Sequence, residues 1–181
     1  IEEVESADQI KHGIIREALK LVGVSKGVEI VTISDIPGRG SGLGSSSALA
    51  AGVLNALYAF KGCYINPYDL ACQACKLEID ILGSPIGKQD QWATATGSFA
   101  KYVFASNDSV TKIDLLREGN YDRVKQLENN SLLFYLGFTR NSNDILKEHK
   151  ENITKRRTYL DEIKKLTDDL ECWLYGKNES F

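Results

Sequence analysis

Apolar positions along this chain recur at two periods, and the switches between them mark its elements. Over residues 6–22, Ile10, Ile14, Ala18 and Leu21, with Ile15, Leu19 and Val22 beside them, fall at helical spacing, and Gly23 follows as a stop. Residues 27–35, GVEIVTISD, are rich in β-branched side chains and predict a strand, ended by Pro37, which offers no ladder donor. A helix follows over residues 45–60, with Ala48, Ala51, Gly52 and Ala56 forming a small-residue face suited to close packing on a sheet. Gly62 breaks it, and Asn66 and Pro67 supply a cap and a first-turn proline for a third helix over 67–82, stopped at Gly83, Ser84 and Pro85. A short helix over 90–96 is closed by Gly97.

The second half reads differently. Residues 98–105 and 109–115 predict a hairpin turned by Asn107 and Asp108. A short helix over 118–128 and a buried strand over 131–137 come next. Residues 142–173 predict a long charged helix or helix pair, with Ile145, Leu146, Ile153, Leu160, Ile163, Leu166 and Leu170 as its apolar stripe. Helices and strands mixed in this order predict an α+β fold rather than regular βα alternation.

Composition narrows the setting. The 181 residues suffice for one domain with a real core, or one domain and part of another. A net charge of −3 argues against a nucleic-acid surface, and the brief basic run 155–157 lies among acids as a solvated helix face. No apolar run reaches the roughly 18 residues of a membrane span, and no signal peptide opens the sequence. Four cysteines are too few for a secreted disulfide framework, which points to a reducing cytoplasm. Cys72 and Cys75 have CxxC spacing, but they fall inside a helical pattern with no further ligands close in sequence, so they read as buried structural thiols rather than a zinc or redox pair. The chain begins at Ile1 and contains no methionine, so it reads as a fragment or as a sequence trimmed at its ends.

One stretch carries candidate chemistry. Residues 37–52, PGRGSGLGSSSALAAG, hold five glycines and four serines and run directly into apolar helix. A glycine-rich loop feeding a helix N-terminus presents unpaired N–H groups and the positive end of the helix dipole, which together favour a phosphate. A flexible Gly/Ser linker is the plainer reading, but a linker is seldom continued at once by a helix such as ALAAGVLNALYA. The loop has no lysine in the position a Walker P-loop needs, lacks the second glycine of a nucleophile elbow, and is followed by no acid about 20 residues on of the dinucleotide-binding kind.

Phosphoryl transfer also needs a metal held by a carboxylate and a hydroxyl, a cation against the phosphate charge, and an acceptor for the nucleophile's proton. LEIDILGSPIGKQDQ, residues 77–91, supplies such groups: Glu78 near the end of one helix and Asp90 at the start of the next, with a Gly-Ser-Pro turn that lets them converge. Glu78, Ser46, Lys88 and Asp90 are the candidates, although any one of these charges taken alone is more readily a solvated side chain.

PGRGSGLGSSSAL resembles the second signature motif of the GHMP kinases, the galactokinase, homoserine, mevalonate and phosphomevalonate kinase superfamily. The set SDIPGRGSGLGSSSA, LEIDILGSPIGKQDQWA and LLFYLGFTRNSNDILKEH is similar to one branch, the D-glycero-D-manno-heptose 7-phosphate kinases and their sugar-kinase relatives. The resemblance implies a ribosomal-protein-S5-like α+β N-terminal domain over 1–139 and the first helices of a C-terminal domain over 140–181. It implies that Pro37, Gly38, Gly40, Gly42, Leu43, Gly44, Ser45, Ser46 and Ser47 wrap the phosphates of ATP. Ser46 and Glu78 correspond to Mg²⁺ ligands, Asp90 to the catalytic acid/base, and Lys88 to a group steadying phosphate or substrate charge.

The implied reaction moves the γ-phosphate of ATP to a sugar or sugar-phosphate hydroxyl. The family's N-terminal RxPxR-like motif and its third glycine motif have no counterpart here, so the chain reads as the middle of such a kinase, with an incomplete cleft. Three alternatives stand beside this: galactokinase- or mevalonate kinase-type specificity, a non-catalytic nucleotide-binding piece, and a zinc or redox protein built on Cys72 and Cys75. Exposed strand edges, or the stripe over 142–173, could pair two copies.

Overall fold

Local start and stop signals account for most of the helices. The structure is a computed structural model and describes residues 2–35, 42–116, 120–134, 152, 154 and 156–176. These divide into two compact units, residues 2–97 and residues 98–176.

In the first unit a 3₁₀ turn, Ala7–Gln9, precedes α1, Gly13–Val22, so the helix expected over 6–22 is broken in two. The Gln9 side chain folds back onto the N–H groups of Glu5 and Ser6, tying the turn to its own start. Gly23 ends α1 in the left-handed region, as its place after the apolar run predicts. Helix α2 spans Ser45–Phe60. Asn66 accepts a hydrogen bond from the Asp69 N–H at 2.9 Å and Pro67 occupies the first turn of α3, Pro67–Cys75. Beyond Cys75 the coil widens to a π turn over Lys76–Ile81, where the Leu82 N–H reaches back to the Leu77 carbonyl. Helix α4 spans Gln89–Thr96 and stops at Gly97.

The core of this unit is helix on helix. Ala18, Leu19 and Val22 of α1 meet Ala50, Val53, Leu54 and Leu57 of α2, and Leu70, Ala74 and Leu77 close the other side. Tyr68 and Trp92 pack edge to face with centroids 4.8 Å apart, fixing α4 on α3.

Two expectations fail here, for one reason. Residues 27–35 form no strand: a strand needs a ladder partner, none stands beside them among the described residues, and Val31 and Ile33 are 73% and 90% exposed. Without that sheet among the described residues, the small-residue face of α2 is only partly covered. Ala51 is buried against helices, whereas Ala48, Gly52 and Ala56 are exposed.

The second unit holds a two-stranded antiparallel hairpin, β1 (Ala100–Phe104) and β2 (Val110–Asp114), in the register Tyr102 to Lys112. Its turn uses Asn107 and Asp108 as expected: Asp108 takes φ 63°, and Asn107 accepts from the Ser109 N–H. Helix α5 spans Tyr121–Asn129 and α6 spans Arg157–Leu174. Lys101 of β1 reaches Asp168 and Glu171 of α6 at 2.6 and 2.7 Å, and that ammonium holds the Asp168 carboxyl below its usual range. Arg123 donates to the Trp173 carbonyl at 2.9 Å and sits over the indole ring.

The strand expected over 131–137 is absent from its described part. Residues 131–134 are irregular and Leu132, Leu133 and Phe134 are exposed, while residues 135–137 lie outside the described residues. Of the stripe expected over 142–173, Ile145, Leu146 and Ile153 lie outside the described residues; Leu160, Ile163 and Leu166 are exposed on α6.

The CxxC pair divides. Cys75 is buried, as expected, but Cys72 is exposed, and among the described residues no three His, Cys, Asp or Glu side chains are grouped to hold a metal. Burial, helped by neighbouring Cys72, pushes the Cys75 thiol up to about 11. A thiol-based redox role needs ready thiolate, which burial disfavours at Cys75.

Two measurements check this packing. Leu54→Ala opens a void at a side chain with no exposure, and chemical denaturation should show a loss of about 2–5 kcal/mol. The folded-state shift of Cys75 is upward, so its contribution to stability is full below the ordinary thiol range and is lost as pH rises toward 11. Thiolate absorbance of the folded chain should show one cysteine ionising near that pH; titration of all four in the ordinary range contradicts the packing.

Candidate active site

Two glycines set up the start of α2. Gly42 and Gly44 both take left-handed backbone, at φ 72° and 69°, a conformation that L side chains adopt only at a cost. Gly44 is the N-cap, and with no side chain it leaves the first turn of α2 without a side-chain cap from that position. Ser45 is half-buried, Ser46 exposed and Ser47 buried in that turn, and Leu43 stands exposed just before it. Pro37, Gly38 and Gly40, the first part of the expected phosphate loop, lie outside the described residues.

Glu78 comes to this helix start from the π turn. Its carboxylate is 1% exposed. The Ser46 hydroxyl donates to one carboxylate oxygen, and the Gln91 side-chain amide donates to the other at 2.6 Å. Among the described residues, no Lys, Arg or His forms an ion pair with it. A buried carboxylate met only by neutral donors is costly to desolvate, and a small cation is what such a site lacks.

Asp90 arrives at the same helix start from the first turn of α4. It is exposed, and its carboxyl packs directly over Gly44: a Cβ placed there would stand 3.4 Å from Asp90 Cγ and Oδ2. The two carboxylates therefore converge, as the turn between them suggested, Glu78 at Ser46 and Asp90 at Gly44. Lys88 immediately precedes α4 as its N-cap.

Magnesium takes few protein ligands and fills its octahedron with waters and substrate phosphates, so one carboxylate and one hydroxyl are a sufficient protein share. Ser46 and Glu78 fit that share, and the unpaired, fully buried Oε1 of Gln91 adds an acceptor facing no protein donor. Gln91 stands in GKQDQ, residues 87–91. A glutamine beside a candidate acid has no signal of its own; only its burial beneath α4 reveals it. A separate pocket of about 380 Å³, lined by Tyr58, Cys63, Asn66, Asp69 and Cys72, contains none of the candidate residues.

Comparison with known proteins covers the same stretch of chain. Residues 10–98, which contain Gly42, Ser46, Glu78, Lys88, Asp90 and Gln91, match the family described as GHMP kinases N terminal domain. The chain is 37% identical over 120 residues to a D-glycero-alpha-D-manno-heptose 7-phosphate kinase of Campylobacter jejuni, covering 66% of this chain and 34% of that protein. It is 33% identical over 105 residues to a mevalonate kinase of Thermococcus sibiricus, covering 56% of this chain and 31% of that protein. Over 76 residues it is 34% identical to an L-arabinokinase of Arabidopsis thaliana, covering 42% of this chain and 7% of that protein. The matched stretch thus spans about a third of the first two relatives. No solved structure matches the chain significantly, and among the described residues no helix is long and apolar enough to cross a membrane. A glycine turn, a serine-bearing helix start and two converging carboxylates thus fall inside one stretch, residues 10–98, that matches the family described as GHMP kinases N terminal domain.

Proposed function

We propose that this chain supplies the nucleotide-phosphate and metal site of an ATP- and Mg²⁺-dependent small-molecule kinase acting on a sugar or sugar phosphate. The observation that carries the reading is the buried Glu78 carboxylate, held by Ser46 and Gln91 and lacking a cationic side chain among the described residues.

Ser46 and Glu78 are the residues that would hold the metal, which when bound supplies positive charge against the β- and γ-phosphates. The turn through Gly42, Leu43 and Gly44 and the N–H groups of Ser45, Ser46 and Ser47 cradle the phosphates, joined by Pro37, Gly38 and Gly40. Lys88 offsets phosphate charge. Asp90 orients the acceptor hydroxyl and takes its proton as the hydroxyl oxygen bonds to the γ-phosphorus and the bond from that phosphorus to ADP breaks. Because the transition state is loose, positioning and electrostatics carry more of the rate than proton removal.

The similarity to a heptose 7-phosphate kinase favours an anomeric hydroxyl as acceptor, with mevalonate kinase- or galactokinase-type acceptors as the competing specificity. The S5-like form of the N-terminal domain, the C-terminal helical region from residue 140 onward, a cytoplasmic setting and self-pairing through the α6 stripe belong to the same reading.

Asp90→Asn should keep Mg·ATP binding in calorimetry and lose about 10²–10⁴-fold in phosphoryl transfer, measured by ADP release across heptose 7-phosphate, galactose and mevalonate. Retained turnover removes Asp90 from its role, and binding without turnover in the unsubstituted protein favours a non-catalytic nucleotide binder. Gly44→Ala places a methyl group on left-handed backbone and against Asp90, so it should cost about 1–2 kcal/mol of stability and weaken ATP binding.

A further inference from the structure

We propose that Gln91 is a positioning residue for the cation: its side-chain amide orients the Glu78 carboxylate so that the oxygen shared with Ser46 is presented to the metal. The inference rests on the metal reading of Ser46 and Glu78 given above. Gln91 is fully buried, and its Nε2 donates to Glu78 Oε2 at 2.6 Å while Ser46 takes Oε1. The carboxylate is therefore pinned by both oxygens, from two different helices, and cannot rotate about its terminal bond without losing both donors.

The direction of the Gln91 amide is set by chemistry. Turned over, its oxygen would face a carboxylate oxygen at hydrogen-bond distance, two acceptors with no proton between them. The observed orientation leaves Oε1 buried with no donor among its neighbours. A side chain present only to fill space would be apolar there, as Trp92 beside it is, and would leave no acceptor unpaired. The orphaned oxygen is the consequence of keeping a donor on Glu78. The same amide links the first turn of α4 to the π turn, so Asp90, the preceding residue, is placed relative to Glu78 through one side chain. Outer partners that orient metal-binding carboxylates commonly change metal affinity about 10–100-fold when removed.

The test uses the full chain, Mn²⁺ as the probe and a non-hydrolysable ATP analogue, with free Mn²⁺ read by electron paramagnetic resonance. Gln91→Met keeps the length and volume of the side chain and removes the donor; Gln91→Asn keeps the amide and shortens its reach. Both should weaken Mn²⁺ binding of the folded protein about tenfold or more, with affinity for the analogue in metal-free buffer unchanged and the melting temperature lowered by the donor lost from the buried carboxylate. A role confined to packing predicts a lowered melting temperature with Mn²⁺ affinity unchanged in the folded protein, which overturns the proposal. Glu78→Gln separates the two levels. If it abolishes Mn²⁺ binding while the Gln91 variants bind normally, this inference alone fails. If it too binds normally, the metal reading of the site fails and the inference with it. A measurement on the unsubstituted protein does not depend on how the variants fold: bound Mn²⁺ should broaden the side-chain amide resonance of Gln91, and an unbroadened resonance overturns the proposal.

Discussion

The buried carboxylate of Glu78 is the constraint around which the first unit is arranged. Placing a charge at 1% exposure is unfavourable unless its oxygens are met, and here one is met by Ser46 from α2 and the other by Gln91 from α4. Three segments distant in sequence must therefore arrive together: the start of α2, the π turn after α3 and the first turn of α4. The helical core supplies the frame. Leu54 and Leu57 of α2 pack beside Leu70, Ala74 and Leu77, so the Ser46 end of α2 and the Glu78 turn are held from behind by apolar burial while their polar groups meet in front. The widened turn over Lys76–Ile81 shifts the side chains that follow it relative to a regular helix, and Glu78 lies within it.

The same arrangement explains how an anion and a cation could be bound by one small region. The left-handed turn at Gly42 and Gly44 lets the chain enter α2 without a side chain over its first N–H groups, and the Asp90 carboxyl lies at van der Waals contact distance from where a Cβ of residue 44 would stand. What calls for glycine at position 44 is its left-handed backbone. Acidic groups on one side of the helix start and N–H groups at its end give opposite polarity within one turn, which suits a phosphate carried with its metal.

Much of this was legible in the sequence because the signals are local. Asn66 followed by Pro67 marks a helix start through one hydrogen bond and one fixed dihedral angle, and Gly23 and Gly97 mark helix ends through left-handed or unusual backbone. Asn107 and Asp108 mark the hairpin turn in the same way. What depends on partners was not legible. Residues 27–35 have a strand's composition, but a strand exists only in a ladder; Val28 and Ile30 pack against the helical core while Val31 and Ile33 stand exposed, with no ladder partner among the described residues. The face of α2 formed by Ala48, Ala51, Gly52 and Ala56 is small, as its residues dictate, but among the described residues only Ala51 is covered. Ser46, Glu78 and Asp90 could be named from residue type and motif, whereas Gln91 could not, since what distinguishes it is burial against Glu78 rather than any pattern along the chain.

The central claim is that the start of α2, with Glu78 behind it, is the seat of Mg·ATP. Amide hydrogen exchange measured with and without Mg·ATP addresses it most directly, because phosphate bound by backbone N–H groups must slow their exchange. The account predicts protection concentrated at residues 42–48 and around Glu78 and Gln91, appearing only when Mg²⁺ and ATP are both present. Protection of the pocket lined by Tyr58, Cys63 and Cys72 instead, with the start of α2 exchanging as freely as before, would contradict it.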